Sequence, residues 1–309
     1  MRSGTLMKML LGILFLCPGF LLFSYASVLR VHGAEVLRVT DDSGQTVELP
    51  QPARRVIPLY GAFAEMLYAI GAGDSVAART QADRFPPDLL RLPSVGTHMK
   101  PNVEMILGLK PDLVIQSSSR REAIPEIRRI QAAGIPLVVF DPKSFPQIFS
   151  TMIKMGVLTG KEGSAREAVE QLEGRLKKAG IRLEGSTREL RVFYEVRGEP
   201  LTAAGQGSII QEILVAAGAK NVVSSPKALV QYSVEALLVD DPDVYIVQRG
   251  PMNRNPAPPD RRQHFSRLRC VREGRVLFVD EFIFSRPGPR CVDAVEQLAE
   301  KLRPYGKSS

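Results

Sequence analysis

Two periods of apolar and polar alternation run along this chain, and the switches between them mark out its elements. Val36 to Thr40 and Thr46 to Leu49 alternate with a period of two around Asp41-Asp-Ser-Gly44, which predicts a hairpin ended by Pro50 and Pro52. Arg55-Val-Ile-Pro-Leu59 reads as the first strand of a sheet, and Ala62 to Ile70 as the helix after it, closed by Gly71. A proline-rich connection, Phe85-Pro-Pro-Asp88, leads to Leu92-Pro-Ser-Val-Gly96.

The pattern then repeats. Asn102-Val-Glu-Met-Ile-Leu-Gly-Leu-Lys-Pro-Asp-Leu-Val-Ile115 recurs without a gap as Ser233-Val-Glu-Ala-Leu-Leu-Val-Asp-Asp-Pro-Asp-Val-Tyr-Ile246. Glu65-Met-Leu-Tyr-Ala-Ile-Gly-Ala72 similarly recurs as Glu212-Ile-Leu-Val-Ala-Ala-Gly-Ala219. Spacings of about 130 and 150 residues are far too long for a solenoid and fit two lobes of one design. In each copy Asn102 or Ser233 caps a helix with one apolar face, and a Pro-Asp pair stops it. The apolar runs Leu113 to Ile115 and Val244 to Val247 then enter a sheet, with Gly134 to Phe140 and Gly274 to Val279 as the next strands. Strand, helix and strand in alternation predict an α/β fold with parallel sheets and right-handed crossovers.

Between the copies, Ser164-Ala-Arg-Glu167 is a capping box that opens a helix running to Gly180, about 24 Å long. One long helix joining two similar lobes predicts a small hinge motion and a ligand cleft between them. The expected organisation is a signal peptide at 1–26, an N-terminal lobe at 35–145, a linking segment with the backbone helix at 146–182, and a C-terminal lobe at 183–309.

Composition adds compartment and charge. Arg2 and Lys8 precede a mostly apolar run from Met9 to Phe23, shorter than the roughly 20 residues a spanning helix needs. Ser24-Tyr-Ala26 offers one cleavage site and Val31-His-Gly33 another, so the mature protein is expected to be exported. Cys17 follows Leu16 and precedes Pro18, which departs from a lipidation motif. The formal charge is +8, and residues 245–309 carry 13 Lys and Arg against 7 Asp and Glu. Export argues against nucleic acid as the reason for that excess. Cys270 and Cys291 are candidates for a disulfide in an oxidising compartment, although spacing alone leaves the pairing open.

Ligands of open parallel sheets sit beyond the carboxyl ends of the strands. Applied here, that rule selects Tyr60, Ser117, Arg197, Arg249, Phe284 and Arg286, with His98 and Met99 from one facing loop and Tyr232 from another. Arg197, Arg249 and Arg286 come from three C-lobe loops and suit a carboxylate or phosphate, so an anionic ligand is expected. Tyr60, Met99, Tyr232 and Phe284 would form apolar walls. A bare-metal site is poorly served by His32, His98 and His264. Catalysis is not expected: Gly205-Gln-Gly-Ser208 is neither a nucleophile elbow nor a phosphate loop, and Ile210 stands where a Rossmann motif needs its third glycine.

These residues and motifs together resemble the periplasmic substrate-binding proteins of ABC importers for ferric siderophores, haem and cobalamin, of the helical-backbone class. The matching pieces include Pro93-Ser-Val-Gly96, Pro101-Asn-Val-Glu104, Lys110-Pro-Asp-Leu-Val114, Thr202-Ala-Ala-Gly205 and Pro289-Arg290. The resemblance implies a monomeric, non-enzymatic receptor with no resident cofactor, delivering a metal chelate to a permease dimer and its ATPase. A ferric siderophore is expected first, with haem or cobalamin next. It also implies docking through surface carboxylates, for which Glu122 and Glu126 match in the N-lobe. Residues 250–265 hold no glutamate, leaving Asp260 as the C-lobe acid.

Overall fold

The computed structural model describes residues 36–117, 125–181 and 189–306. Strands β1 (Leu37–Thr40) and β2 (Thr46–Leu49) form the hairpin read from the sequence. Asp41 closes it by accepting from the Ser43 and Gln45 amides, and its second oxygen takes the Val139 amide, docking the hairpin on the N-lobe.

The N-lobe continues with β3 (Val56–Pro58), α1 (Gly61–Ala69), the small hairpin β4 (Gly96–Thr97) and β5 (Lys100–Pro101), and α2 (Val103–Gly108). Then follow β6 (Leu113–Ser117), α3 (Pro125–Ala132) and β7 (Leu137–Phe140). Strands β3, β6 and β7 form a parallel sheet in that order.

Two helices follow: α4 (Phe145–Thr159) and α5 (Glu162–Ile181). The sequence reading had one helix here, beginning at Ser164. The chain instead makes α4 first, ends it with Gly160 in the left-handed region at φ 68°, and starts α5 two residues before the capping box. Gly156 is what lets the pair pack closely, since a Cβ there would stand 2.6 Å from that of Ala165.

The C-lobe comprises β8 (Leu190–Gly198), β9 (Leu201–Ala204), α6 (Ile209–Ala216), β10 (Ala219–Asn221) and β11 (Leu229–Gln231). It ends with α7 (Val234–Asp240), β12 (Val244–Arg249), α8 (Arg269–Arg272), β13 (Val276–Asp280), α9 (Glu281–Phe284) and α10 (Cys291–Leu302). Its sheet is mixed rather than wholly parallel. Strand β8 lies parallel to β10 and β12, and β12 parallel to β13, but β9 runs antiparallel to both β8 and β11. Glu199 and Pro200 are too short a link for a parallel crossover, so the chain must turn straight back.

The repeated sequence does the same mechanical work in both lobes. Asn102 and Ser233 cap their helices by accepting from the Met105 and Ala236 amides. Lys110 and Asp241, the residues before the two prolines, both adopt positive φ, at 48° and 36°. The aspartates after the prolines then tie the incoming strand to its neighbour: Asp112 accepts from the Arg54 and Arg55 amides, and Asp243 from the Arg191 amide.

One apolar core runs through both lobes. It joins Leu113, Ile115 and Phe63 of the N-lobe to Met152 and Leu172 of the helix pair and to Val192, Ile246 and Val295 of the C-lobe. Two separate clusters cover the outer faces of the sheets, one including Ile57 and Val114 and the other Phe193 and Tyr245. This layering corrects two expectations. Cys270 belongs to the outer C-lobe cluster and Cys291 to the shared core, so the sheet lies between them and both are free, buried thiols. Burial pushes both up to about 12. Phe284 is not a cleft wall: it is 1% exposed in the shared core, with its ring 6.5 Å from that of Tyr194. Among the described residues no helix is long and apolar enough to cross a membrane.

Phe284→Ala should therefore cost about 3–5 kcal/mol of stability, the range for emptying a buried aromatic site. Urea unfolding would measure it, and a loss below about 1 kcal/mol would place the ring outside the core.

Candidate functional site

The strand-end rule places a ligand at the loops after β3, β6 and β7 of one lobe and β8, β12 and β13 of the other. Tyr60 lies two residues after β3, in extended backbone as the N-cap of α1, and is half-buried. Its ring meets that of Phe63 edge-on at 5.6 Å and that of His98 at 6.0 Å. Burial pushes its phenol up to about 12, against the pull of Arg286. His98 and Met99 occupy the turn between β4 and β5, where Met99 is exposed. Ser117 is the half-buried last residue of β6.

On the facing lobe, Arg197 and Arg249 stand near neighbouring strand ends. Val247 of β12 registers with Glu195 of β8, and each arginine lies two residues further along its own strand. Both are exposed. Arg249 lies 3.8 Å over the Phe278 ring, and Arg197 donates a long bond of 3.4 Å to Thr202 Oγ1. Phe278 packs against the outer C-lobe cluster, so the two exposed guanidiniums stand at the edge of that layer.

Arg286 does something different. It crosses the seam between lobes, with Nη1 3.8 Å from Asp83 Oδ1 and Nη2 donating to the Ala82 carbonyl at 3.4 Å. Its plane lies over the Phe282 ring. Arg290, one helical turn later at the start of α10, lies over the Phe85 ring and pairs with Glu65 Oε1 at 3.6 Å. Both carboxylates are buried N-lobe groups. Gly61 makes the first pair fit, because a Cβ there would stand 2.3 Å from Arg286 Nη1 and 2.5 Å from Asp83 Oδ1. The Arg286 guanidinium thus already has an internal counter-ion.

Tyr232 is a further correction. Its ring packs 5.3 Å from that of Phe193 in the outer C-lobe layer, and its hydroxyl is held by Asp240, so it does not form a cleft wall. Of the docking acids, Glu126 is half-buried on α3 and Asp260 is exposed on the turn Pro259–Arg261. Glu122 and the signal segment lie outside the described residues. Among those residues no group of three His, Cys, Asp or Glu side chains could hold a bare metal ion.

The sequence reading missed the acids. Glu65 was visible as a lone carboxylate within Gly61-Ala-Phe-Ala-Glu-Met-Leu67, and Asp83 carried no comparable mark. Glu281 was also missed; it accepts from the Met252 amide at 2.8 Å, and burial raises its carboxyl.

Burial likewise lifts Glu65 from 4.5 to about 7, with Arg290 and Arg286 opposing. Its folded value exceeds its unfolded one, so between about pH 4.5 and 7 the folded protein holds a proton that the unfolded chain releases. Stability then falls as pH rises through that window. Glu65→Gln cannot ionise, and its stability relative to wild type should rise across the window by up to about 3 kcal/mol. Urea midpoints at about pH 5 and about pH 8 test this, and a gap that does not change with pH would sink it.

A family model of periplasmic binding proteins matches residues 56–281. The chain is 31% identical over 277 residues to an uncharacterised ABC transporter substrate-binding lipoprotein of Bacillus subtilis, covering 87% of each. It is 26% identical to the vitamin B12-binding protein of Vibrio cholerae, covering 82% of this chain and 91% of that one. Among solved structures it is similar to an ABC-type Fe3+-hydroxamate transport protein of Saccharomonospora viridis, at a TM-score of 0.68 and 24% identity. That match covers 86% of this chain and 98% of the other.

Proposed function

We propose, for a chain that belongs to the periplasmic binding protein family, that it is an extracytoplasmic receptor delivering an anionic metal chelate to an ABC-type import permease. A ferric siderophore bearing carboxylate groups fits first, with haem or cobalamin as the next ligand classes. The observation that carries this reading is the pair of exposed arginines at neighbouring C-lobe strand ends, Arg197 and Arg249; Tyr60, His98 and Met99 are the N-lobe groups proposed to face them. A guanidinium presents a rigid fork of donors that keeps its charge at any physiological pH. Two of them at neighbouring strand ends can grip two acidic groups of one ligand, while the facing aromatic and thioether groups cover its apolar parts. Arg286, already paired, serves the lobe seam instead.

Delivery requires a docking face on each lobe. Glu126 offers an N-lobe carboxylate in the first turn of α3, and Asp260 offers one from the C-lobe crossover. Both would meet cationic groups of the permease, with its ATPase on the far side of the membrane.

A thermal-shift panel on the mature protein, against ferric siderophores, ferric citrate, haemin, cobalamin and simple metal salts, tests the reading. A ligand at a hundred times its dissociation constant adds about 2.7 kcal/mol of stability. The expected result is a shift with one chelate class and none with its metal-free form. The double change Arg197→Ala with Arg249→Ala should weaken that chelate at least about tenfold, consistent with losing a charge-assisted bond of about 1.5–3 kcal/mol, without lowering the melting point of the free protein. Silence across the panel would remove metal chelates as the cargo.

A further inference from the structure

The C-lobe contains a buried polar hub that lies apart from the shared core and the seam and borders the outer cluster through Tyr245. Glu195, on β8, is fully buried, yet its carboxylate receives donors from three separate segments. Tyr245 Oη donates to Oε2 at 2.5 Å, Arg262 donates to both oxygens at 2.5 and 3.1 Å, and Asn253 Nδ2 donates to Oε1 at 3.0 Å. Arg262 is itself only 13% exposed. A charge so deeply buried is tolerable when paired and fully bonded, and removing either partner leaves the other stranded.

The hub is placed to govern the rim. Asn253 also donates to the Gln248 carbonyl at 2.9 Å and accepts from the Gly198 amide at 3.3 Å, so one side chain bridges the ends of β8 and β12. Asn253 and Gly250 exchange backbone bonds, closing a tight turn immediately after Arg249. Gly250 in turn leaves room for Glu281, which holds the Met252 amide. Arg262 anchors the far end of the same loop through the Ala257 carbonyl. The β8 ladder is irregular between Glu195 and Arg197, so the carboxylate sits where that strand changes its set.

We infer that Glu195 is the positioning residue of the arginine rim: its carboxylate, gripping Asn253 and Arg262 together, fixes where Arg249 and Arg197 stand relative to each other. This rests on the proposed role of those arginines in holding an anionic chelate. Preorganisation of this kind strengthens binding by removing the ordering that the ligand would otherwise impose.

Hydrogen exchange decides the positioning claim without any ligand. In Glu195→Gln, amides from Arg249 to Asn253 and at Arg197 and Gly198 should exchange at least about tenfold faster, while those of β13 and the N-lobe sheet keep their rates. Uniform acceleration would mean that Glu195 merely stabilises the lobe, and unchanged rates at the rim would overturn the inference. Asn253→Ala, which cuts only the link to the turn, should reproduce the effect if Glu195→Gln fails to fold. A second arm uses ferric citrate as probe in a double-mutant cycle with Arg249→Ala. Glu195→Gln should weaken binding about tenfold in the wild-type background and less than about twofold where Arg249 is already gone. Equal losses in both backgrounds would overturn positioning through Arg249. If wild type does not bind ferric citrate, that counts against the chelate reading, and hydrogen exchange alone judges the hub.

Discussion

A single apolar core passing from one sheet, through the helix pair, into the other is the constraint around which this molecule is arranged. Two lobes that share a core cannot separate without exposing it, at a cost of about 25 cal/mol for each Å² of apolar surface. The charged groups obey the same demand. Where the lobes meet, Glu65 and Asp83 are buried opposite Arg290 and Arg286, and the salt link from Arg175 on α5 to Asp293 and Glu296 ties the helix to α10. Glu65 and Asp83 are buried at this boundary and each lies within 3.8 Å of an arginine, while the Arg175 link stays partly exposed.

That demand explains how the arginines sort themselves. Three were equivalent by the strand-end rule, yet only Arg197 and Arg249 are exposed. Arg286 lies where the N-lobe presents a buried acid and a glycine with no side chain to block it, so its charge is used internally. Exposed guanidiniums remain available to a ligand, whereas a buried one must be matched within the fold.

The sequence was most legible where one residue type answers a local backbone need. Asn102 and Ser233 as caps, the two Pro-Asp stops and the strands after them all stand as read. Its failures came where the outcome depended on a distant partner. Phe284 follows a strand end and Tyr232 precedes the second repeated helix, as read, but each ring turned toward an apolar layer whose composition no local pattern shows. Helix α4 was missed within the linking segment, and Ser164 drew the start of α5 too late. The antiparallel β9 depended on a two-residue link that the repeat lacks in the N-lobe. Cys270 and Cys291 are close in sequence, yet a sheet divides them.

The two seam arginines leave the C-lobe from one short loop, Arg286 and Arg290 being only a helical turn apart in sequence. Mechanically, such a fastening behaves as a pivot. Pulling the lobes straight apart strains both links at once, whereas twisting one lobe about that loop strains them little. Those two links therefore resist separation of the lobes more than rotation about the root of α10.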